Sequence, residues 1–117
     1  MMSKVDHIAY RVADIDKISS LLQQLGYVEL RRTKHHGGAV ELENPKQPGL
    51  VLEFTINRKD EVSGFDHVCF KLDGEEELNE LIANDFPIDG EPHLSPDAGR
   101  FIVNFKDADG TKWQLTW

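Results

Sequence analysis

Two copies of one eight-residue pattern constrain the fold of this chain more than any other feature of its sequence. Residues 5–12 and 65–72 share the order apolar, Asp, His, apolar, small, aromatic, basic, apolar, at an offset of 60 residues. His7 and His67 occupy the same place in the two copies. A chain that repeats itself at half its own length typically folds as two similar modules. Because the repeat also duplicates a residue type that binds metals, it points to a site assembled from both modules.

Length and charge limit what the chain can be. With 117 residues we expect one domain, 1–117, with module one at 1–59 and module two at 60–117. The formal net charge of −8 argues against nucleic acid and anionic membranes as partners. No apolar run approaches the length needed to cross a bilayer. The single cysteine and an N-terminus without the apolar stretch of a signal peptide favour a cytoplasmic location.

Hydrophobic periodicity predicts the order β-α-β-β-β in both halves. In the first half we predict strands at 4–12, 27–32, 39–43 and 50–55, with a helix capped by Asp14 or Asp16 and ended by Gly26. That helix carries the apolar stripe Ile18, Leu21, Leu22 and Leu25. In the second half we predict a helix at 75–84 and strands at 65–72, 86–92, 99–106 and 111–117. The polar segment 56–63 connects the halves.

Strand alternation sorts the polar residues of these strands onto one face. Side chains on a strand point alternately to opposite sides. The bulky apolar residues of the first and last strand of each module therefore share a face that would pack beneath the helices. The opposite face carries one polar residue of a type that binds metals per strand: His7, Glu53, His67 and Gln114. Because of this alternation, the four residues are candidates to converge at one site.

These features resemble the vicinal oxygen chelate superfamily, which includes glyoxalase I, methylmalonyl-CoA epimerase, extradiol dioxygenases and the fosfomycin and bleomycin resistance proteins. The resemblance lies in the motifs 6–8 and 66–68, Leu52-Glu53-Phe54, and the turn 107–110 followed by Trp113-Gln114-Leu115. It implies an α+β fold in which two tandem βαβββ modules form a curled mixed sheet around a metal cup. It also implies a small-molecule substrate and a homodimer.

Carried over by position, the resemblance implies that the metal ligands are His7, Glu53, His67 and Gln114. The last position is more often glutamate, so Gln114 departs from the pattern. Two imidazoles and two oxygens, completed by water, suit an octahedral divalent ion such as Ni, Co, Zn, Mn or Fe. The family chemistry implied is that of a lactoylglutathione lyase-like metalloenzyme, acting on a small carbonyl or hemithioacetal through proton transfer and a metal-stabilised enediolate. Glu53 is the only ligand of the set able to take the proton; otherwise a metal-bound hydroxide must act.

Other polar residues of the same face are candidate substrate contacts. Arg11 and Lys71 occupy equivalent positions and could hold a substrate carboxylate or phosphate, or else pair with acids at a module interface. Cys69 is close enough in sequence to His67 to line the cup, but it also fits as a small buried residue that matches Ala9. His35 and His36 are expected in a solvated turn, and His93 in a loop.

Three alternative functions remain open from the sequence. A resistance-type protein that binds a small molecule without catalysis is favoured by Gln114 and by the short loops. An Fe(II) dioxygenase is possible because His7, Glu53 and His67 make two histidines and one carboxylate. In dioxygenases of the superfamily that carboxylate lies on the last strand, where this chain has Gln114. An acyl-CoA epimerase would use chemistry similar to that of a glyoxalase.

Overall fold

Strands and helices follow one another in the order that the repeat predicts. The computed structural model describes residues 3–96 and 99–117; Met1 and Met2, which belong to the N-terminal segment without an apolar stretch, lie outside the described residues. The first elements are β1 (Lys4–Val12), α1 (Ile15–Gln24), β2 (Val28–Thr33), a 3₁₀ turn (His35–Gly37), β3 (Ala39–Glu43) and β4 (Val51–Ile56). The remainder are β5 (Gly64–Lys71), α2 (Glu75–Ala83), β6 (Ile88–Ser95), β7 (Arg100–Lys106) and β8 (Lys112–Thr116).

The chain divides into two compact units that share one topology. The first unit is residues 7–66, and the second unit comprises residues 3–6 together with 67–117. In the first unit β1 runs parallel to β4, and β3 and β2 follow in antiparallel order. In the second unit β5 runs parallel to β8, and β7 and β6 follow in antiparallel order. The predicted α+β fold class, with two tandem βαβββ modules, is confirmed.

The core of the first unit lies between α1 and one face of its sheet. Asp14 caps the helix by accepting hydrogen bonds from the backbone amides of Asp16 and Lys17, and Gly26 follows the helix with φ +95°. Ile18 and Leu22 pack on the buried cluster Val40, Leu42 and Phe54. Alternation along β4 thus directs its apolar side chains to the helix, as predicted, and β3 presents Val40 and Leu42 in the same way.

The predicted apolar stripe of α1 is only half buried. Leu21 and Leu25 are 57% and 69% exposed, while Ser19 is buried. At 100° per residue, Leu21 lies away from the side formed by Ile18, Ser19 and Leu22. Leu25 is the C-cap residue, one position beyond the last helical residue, Gln24. The Ser19 hydroxyl is satisfied there, because it donates to Glu29 and accepts from the Gln23 amide.

The core of the second unit repeats this arrangement beneath α2. Its buried residues are Leu72, Leu78, Val103 and Leu115, and the partly buried side chains around them include Phe70, Leu81, Phe105 and Trp117. Three aromatic rings stack in sequence, since Trp113 lies 5.9 Å from Phe70 and 6.1 Å from Phe105. The apolar faces predicted for the first and last strands of this module therefore pack as expected.

The prediction for the weak strand of the second module needs correction. The strand was expected at 86–92, but β6 covers Ile88–Ser95. It is a bulged strand, with Asp89 opposite Asn104 and His93 opposite Ile102. Bulges on edge strands tolerate proline, so Pro92 lies within the element rather than at its end.

Candidate metal centre

In the first unit, parallel pairing of β1 with β4 brings His7 close to Glu53. His7 is opposite Val51 and Ala9 is opposite Glu53, so the two polar side chains share a face at neighbouring positions. A ring nitrogen of His7 and a carboxylate oxygen of Glu53 lie within 4.8 Å of each other. His7 is buried and Glu53 is half-buried. The strands thus present a nitrogen and an oxygen donor side by side.

This pair of donors fits a divalent cation. Imidazole nitrogen and carboxylate oxygen bind Zn²⁺ at about 2.0–2.2 Å, so two ligands of one ion lie at most about 4.4 Å apart. The upper bound of 4.8 Å on the separation of the His7 and Glu53 donor atoms is close to that limit. The carboxylate also supplies the negative charge that a buried cation requires.

In the second unit, His67 and Gln114 have the same relation in strand register. Cys69 is opposite Gln114 on β8, just as Ala9 is opposite Glu53 on β4. His67 precedes Cys69 by two residues and therefore shares its face. Both side chains are half-buried. Each unit accordingly offers one imidazole and one side-chain oxygen at equivalent places.

A comparison with family models identifies the group to which this fold and residue pattern belong. The model of the Glyoxalase/Bleomycin resistance protein/Dioxygenase superfamily matches residues 4–115. The chain belongs to this superfamily. The match covers both repeats, so the sequence resemblance stated above is confirmed. No curated protein matches the sequence.

Solved structures of the superfamily fold resemble the chain over nearly its whole length. Hypothetical protein BH1468 from Bacillus halodurans C-125 has 18% identity and a TM-score of 0.76, with 99% of this chain and 94% of that chain covered. Methylmalonyl-CoA epimerase from Mycobacterium tuberculosis has 17% identity and a TM-score of 0.76, with coverage of 96% and 85%. The 2,3-dioxygenase LapB from Pseudomonas sp. KL28 has 14% identity and a TM-score of 0.69, with coverage of 97% and 41%. These likenesses establish the fold.

The aspartates that precede the two superfamily histidines are each held by an arginine of the same unit. In the first unit, Arg11 Nη1 donates to Asp66 at 2.6 Å, and its Nε donates to the carbonyl of Val62. In the second unit, Arg100 Nη1 lies 2.8 Å from Asp6. Arg11 therefore pairs with an acid, as one alternative expected, but the pair lies within the first unit and not at an interface between modules.

The two other predicted substrate contacts differ in accessibility. Lys71 is exposed and lies opposite Thr116, so its ammonium is available to solvent. Cys69 is 0% exposed, as is Ala9 at the equivalent position of the first unit. A Cys69 thiol with no solvent access fits the space-filling interpretation better than a substrate contact.

His35 and His36 form a turn in which the His36 ring contacts a guanidinium. The structure places them in the 3₁₀ turn, where their rings lie 3.8 Å apart and His36 adopts φ +51°. Arg58 Nη1 lies 3.2 Å from His36 Nδ1, an arrangement in which the guanidinium donates to a neutral imidazole. Burial first, and then the charges of His35 and Arg58, hold the pKa of His36 below its ordinary value. The turn therefore contains an interaction that a simple solvated loop would lack.

Sequence reasoning missed a second carboxylate on the functional face of the first unit. Glu41 on β3 lies directly opposite Glu53, and Arg31 on β2 lies directly opposite Glu41. Arg31 Nε donates to Glu41, whose side chain is 13% exposed. Alternation along β3 does place Glu41 on the same face as Glu53. The register of β2, β3 and β4 aligns Arg31, Glu41 and Glu53, and this register cannot be read from the sequence.

Proposed function

We propose that the protein is a divalent-metal-dependent lyase or isomerase of the glyoxalase type, acting on a small carbonyl or hemithioacetal substrate. His7, Glu53, His67 and Gln114 are the proposed ligands. The observation that carries the proposal is the shared placement within each unit: an imidazole two positions ahead of a side-chain oxygen on the neighbouring parallel strand. In the first unit these donors are within 4.8 Å.

Glu53 is the proposed acid–base group. Its carboxylate is the only ionisable oxygen among the four ligands, so it alone can accept the proton from the carbon next to the carbonyl and return it to the adjacent atom. The partly buried position of Glu53 limits water around the carboxylate. When bound, a divalent metal supplies a Lewis acid for the negative charge that develops on the substrate oxygen. Arg11 and Lys71 complete the proposal as substrate contacts, with Lys71 the more accessible of the two.

A substitution pair tests the role of Glu53. Glu53→Gln keeps the shape and one oxygen donor but removes the proton acceptor, so we expect loss of turnover with weakened metal binding. Gln114→Glu adds a carboxylate and should remain active. The assay is turnover of methylglyoxal plus thiol after loading with Ni²⁺, Co²⁺, Mn²⁺ or Zn²⁺. Parental turnover in both variants would show that Glu53 does not carry the proton.

A non-catalytic binding protein is the second candidate, and Gln114 is the observation that favours it. An amide in place of a carboxylate leaves the ligand set with one negative charge and a weaker hold on a cation. Elemental analysis of protein purified without chelator separates the two candidates. Bound metal with turnover supports the enzyme, whereas metal-free protein that gains no activity with any of the four ions supports the binding protein.

The reaction class requires a substrate screen that includes acyl-CoA thioesters and catechols. An epimerase removes and returns a proton next to a carbonyl, so methylmalonyl-CoA belongs in the screen; the M. tuberculosis neighbour is itself a methylmalonyl-CoA epimerase. Oxygen consumption with Fe²⁺ and a catechol would instead favour a dioxygenase.

We further propose a single-domain chain that works as a cytoplasmic homodimer. In the described part of the chain no helix is both long enough and apolar enough to cross a membrane. Light scattering on purified protein measures the mass of the assembly, and a monomer at assay concentration would contradict the dimer.

A further inference from the structure

We infer that Arg31 sets the charge of the metal site by neutralising Glu41, and so leaves Glu53 as the only carboxylate that the first unit contributes. This inference rests on the proposed metal site. Arg31, Glu41 and Glu53 occupy directly opposed positions on β2, β3 and β4. Directly opposed residues of an antiparallel pair have Cβ atoms about 4.5–5.5 Å apart, so the two glutamates are close enough to repel each other. The guanidinium of Arg31 compensates one of them.

A bulge in β2 places Arg31 opposite Glu41. The register shifts between Glu29 and Arg31: Glu29 is opposite Leu42, and Arg31 is opposite Glu41. In a regular strand Leu30 would stand opposite Glu41, and Arg31 would stand opposite Val40 on the core face. The extra residue therefore exchanges a leucine for an arginine beside the carboxylate. Bulges commonly redirect a side chain in this way.

In the second unit the position equivalent to Glu41 is neutral by a different means. Asn104 on β7 lies opposite Gln114, which places a neutral amide where the first unit has Glu41. Neither position of that pair carries a charge. In the first unit the ion pair of Arg31 with Glu41 makes the position of Glu41 neutral as well, and Glu53 keeps its charge. With Glu53 as the one uncompensated carboxylate, a divalent ion in the proposed site keeps a formal charge of +1, which favours its action as a Lewis acid.

Removal of Arg31 should therefore strengthen cation binding rather than weaken it. In Arg31→Gln, Glu41 adds an uncompensated negative charge beside Glu53. We expect the Kd for Ni²⁺ to fall about tenfold, because attraction between one added charge and a divalent ion across a few ångströms corresponds to roughly that factor even in a water-like dielectric. A purely structural role for Arg31 predicts unchanged or weaker binding.

The experiment is calorimetric titration of Ni²⁺ into metal-free full-length protein, with near-UV circular dichroism as a check on folding. Arg31→Lys and the double variant Arg31→Gln with Glu41→Gln should both restore the parental Kd, since each restores the local charge. Arg32→Gln is the matched control. It removes the same charge from β2, but Arg32 pairs with Glu29 and Asp16 instead, so its Kd should stay parental.

The outcomes separate this inference from the proposed function. If folded Arg31→Gln binds Ni²⁺ as tightly as the parent or more weakly, the inference is overturned and the proposed function is not. The same increase in Arg32→Gln would also overturn it, because the effect would then be one of net charge. If His7→Gln left parental Ni²⁺ binding intact, the proposed site would fail. Absence of Ni²⁺ binding by the parent and by Arg31→Gln would overturn both.

Discussion

Asp107 shows how one carboxylate can join a turn to an aromatic core. It accepts hydrogen bonds from the indole Nε1 of Trp113 at 3.0 Å and from the backbone amides of Asp109 and Thr111. The indole bond first, and then the backbone bonds, hold the pKa of Asp107 below its ordinary value. Trp113 is also stacked between Phe70 and Phe105. The turn before β8 is thereby tied to the packing of the second unit.

Asp107→Asn should lower stability in a pH-dependent manner. Because the folded pKa is depressed, the ionised form stabilises the folded state above the pKa of the unfolded chain, and this contribution is lost as the pH falls through the folded pKa. The variant should therefore unfold at lower urea concentration at pH 7, and the difference should shrink as the pH falls below about 4. Urea unfolding followed by tryptophan fluorescence at both pH values measures the effect.

Asp109→Asn serves as its control, because Asp109 is exposed in the same turn. It removes an equal charge from a carboxylate that is two residues away. Equal losses of stability in the two variants would mean that net charge, rather than the Trp113 bond, explains the effect.

At the scale of elements, the turn from β2 to β3 depends on two consecutive glycines with different surroundings. Gly37 has φ +89° and Gly38 has φ +148°. A Cβ at Gly37 would meet no atom within 4 Å, whereas one at Gly38 would lie 2.8 Å from the Cδ1 of Ile56. The amide of Ile56 also donates to the Gly38 carbonyl at 2.9 Å. Gly38 thus allows the turn to approach β4.

Gly38→Ala should destabilise the fold more than Gly37→Ala. Gly37→Ala introduces only backbone strain, which costs about 1 kcal/mol. Gly38→Ala adds repacking of the Ile56 side chain, which brings the loss to about 2 kcal/mol. Free energies of unfolding from chemical denaturation measure both. Equal losses of unfolding free energy in the two variants would show that the Ile56 side chain moves aside without cost. A larger loss in Gly37→Ala would contradict the role given to Gly38 in the approach of the turn to β4.

At the scale of the molecule, metal binding should stabilise the folded chain. A ligand that binds only the folded state adds about 2.7 kcal/mol at one hundred times its Kd. Ni²⁺ should therefore raise the Tm of metal-free protein. His7→Gln and His67→Gln should each abolish most of that rise, because the proposed site takes one imidazole from each unit. Thermal scans with and without Ni²⁺ measure it.

His93→Gln is the control for this comparison, since His93 is an exposed histidine on β6. It should retain the full rise in Tm. A rise that survives in His67→Gln but not in His7→Gln would confine the ligands to the first unit and contradict the two-unit site.

The sequence by itself determined the repeat, the element order and the faces of the strands. These follow from local physics: alternation places His7, Glu53, His67 and Gln114 on polar faces, and capping residues such as Asp14 and Gly26 delimit a helix. Family membership followed from the same motifs. Even the positions where prediction was weakest, at β6 and along α1, concern boundaries and helix rotation rather than the existence of the elements.

Only the tertiary structure decided which residues stand next to one another. Register depends on bulges and on the packing of distant strands, and neither can be read from local pattern. The bulge in β2, between Glu29 and Arg31, brings Arg31 opposite Glu41 and into line with Glu53. The hydrophobic periodicity gives no signal of this bulge. In the same way, packing closes Cys69 to solvent, and the pairing of distant strands brings Arg11 to Asp66. The repeat supplied the candidate ligands, and the strand register supplied the charges around them.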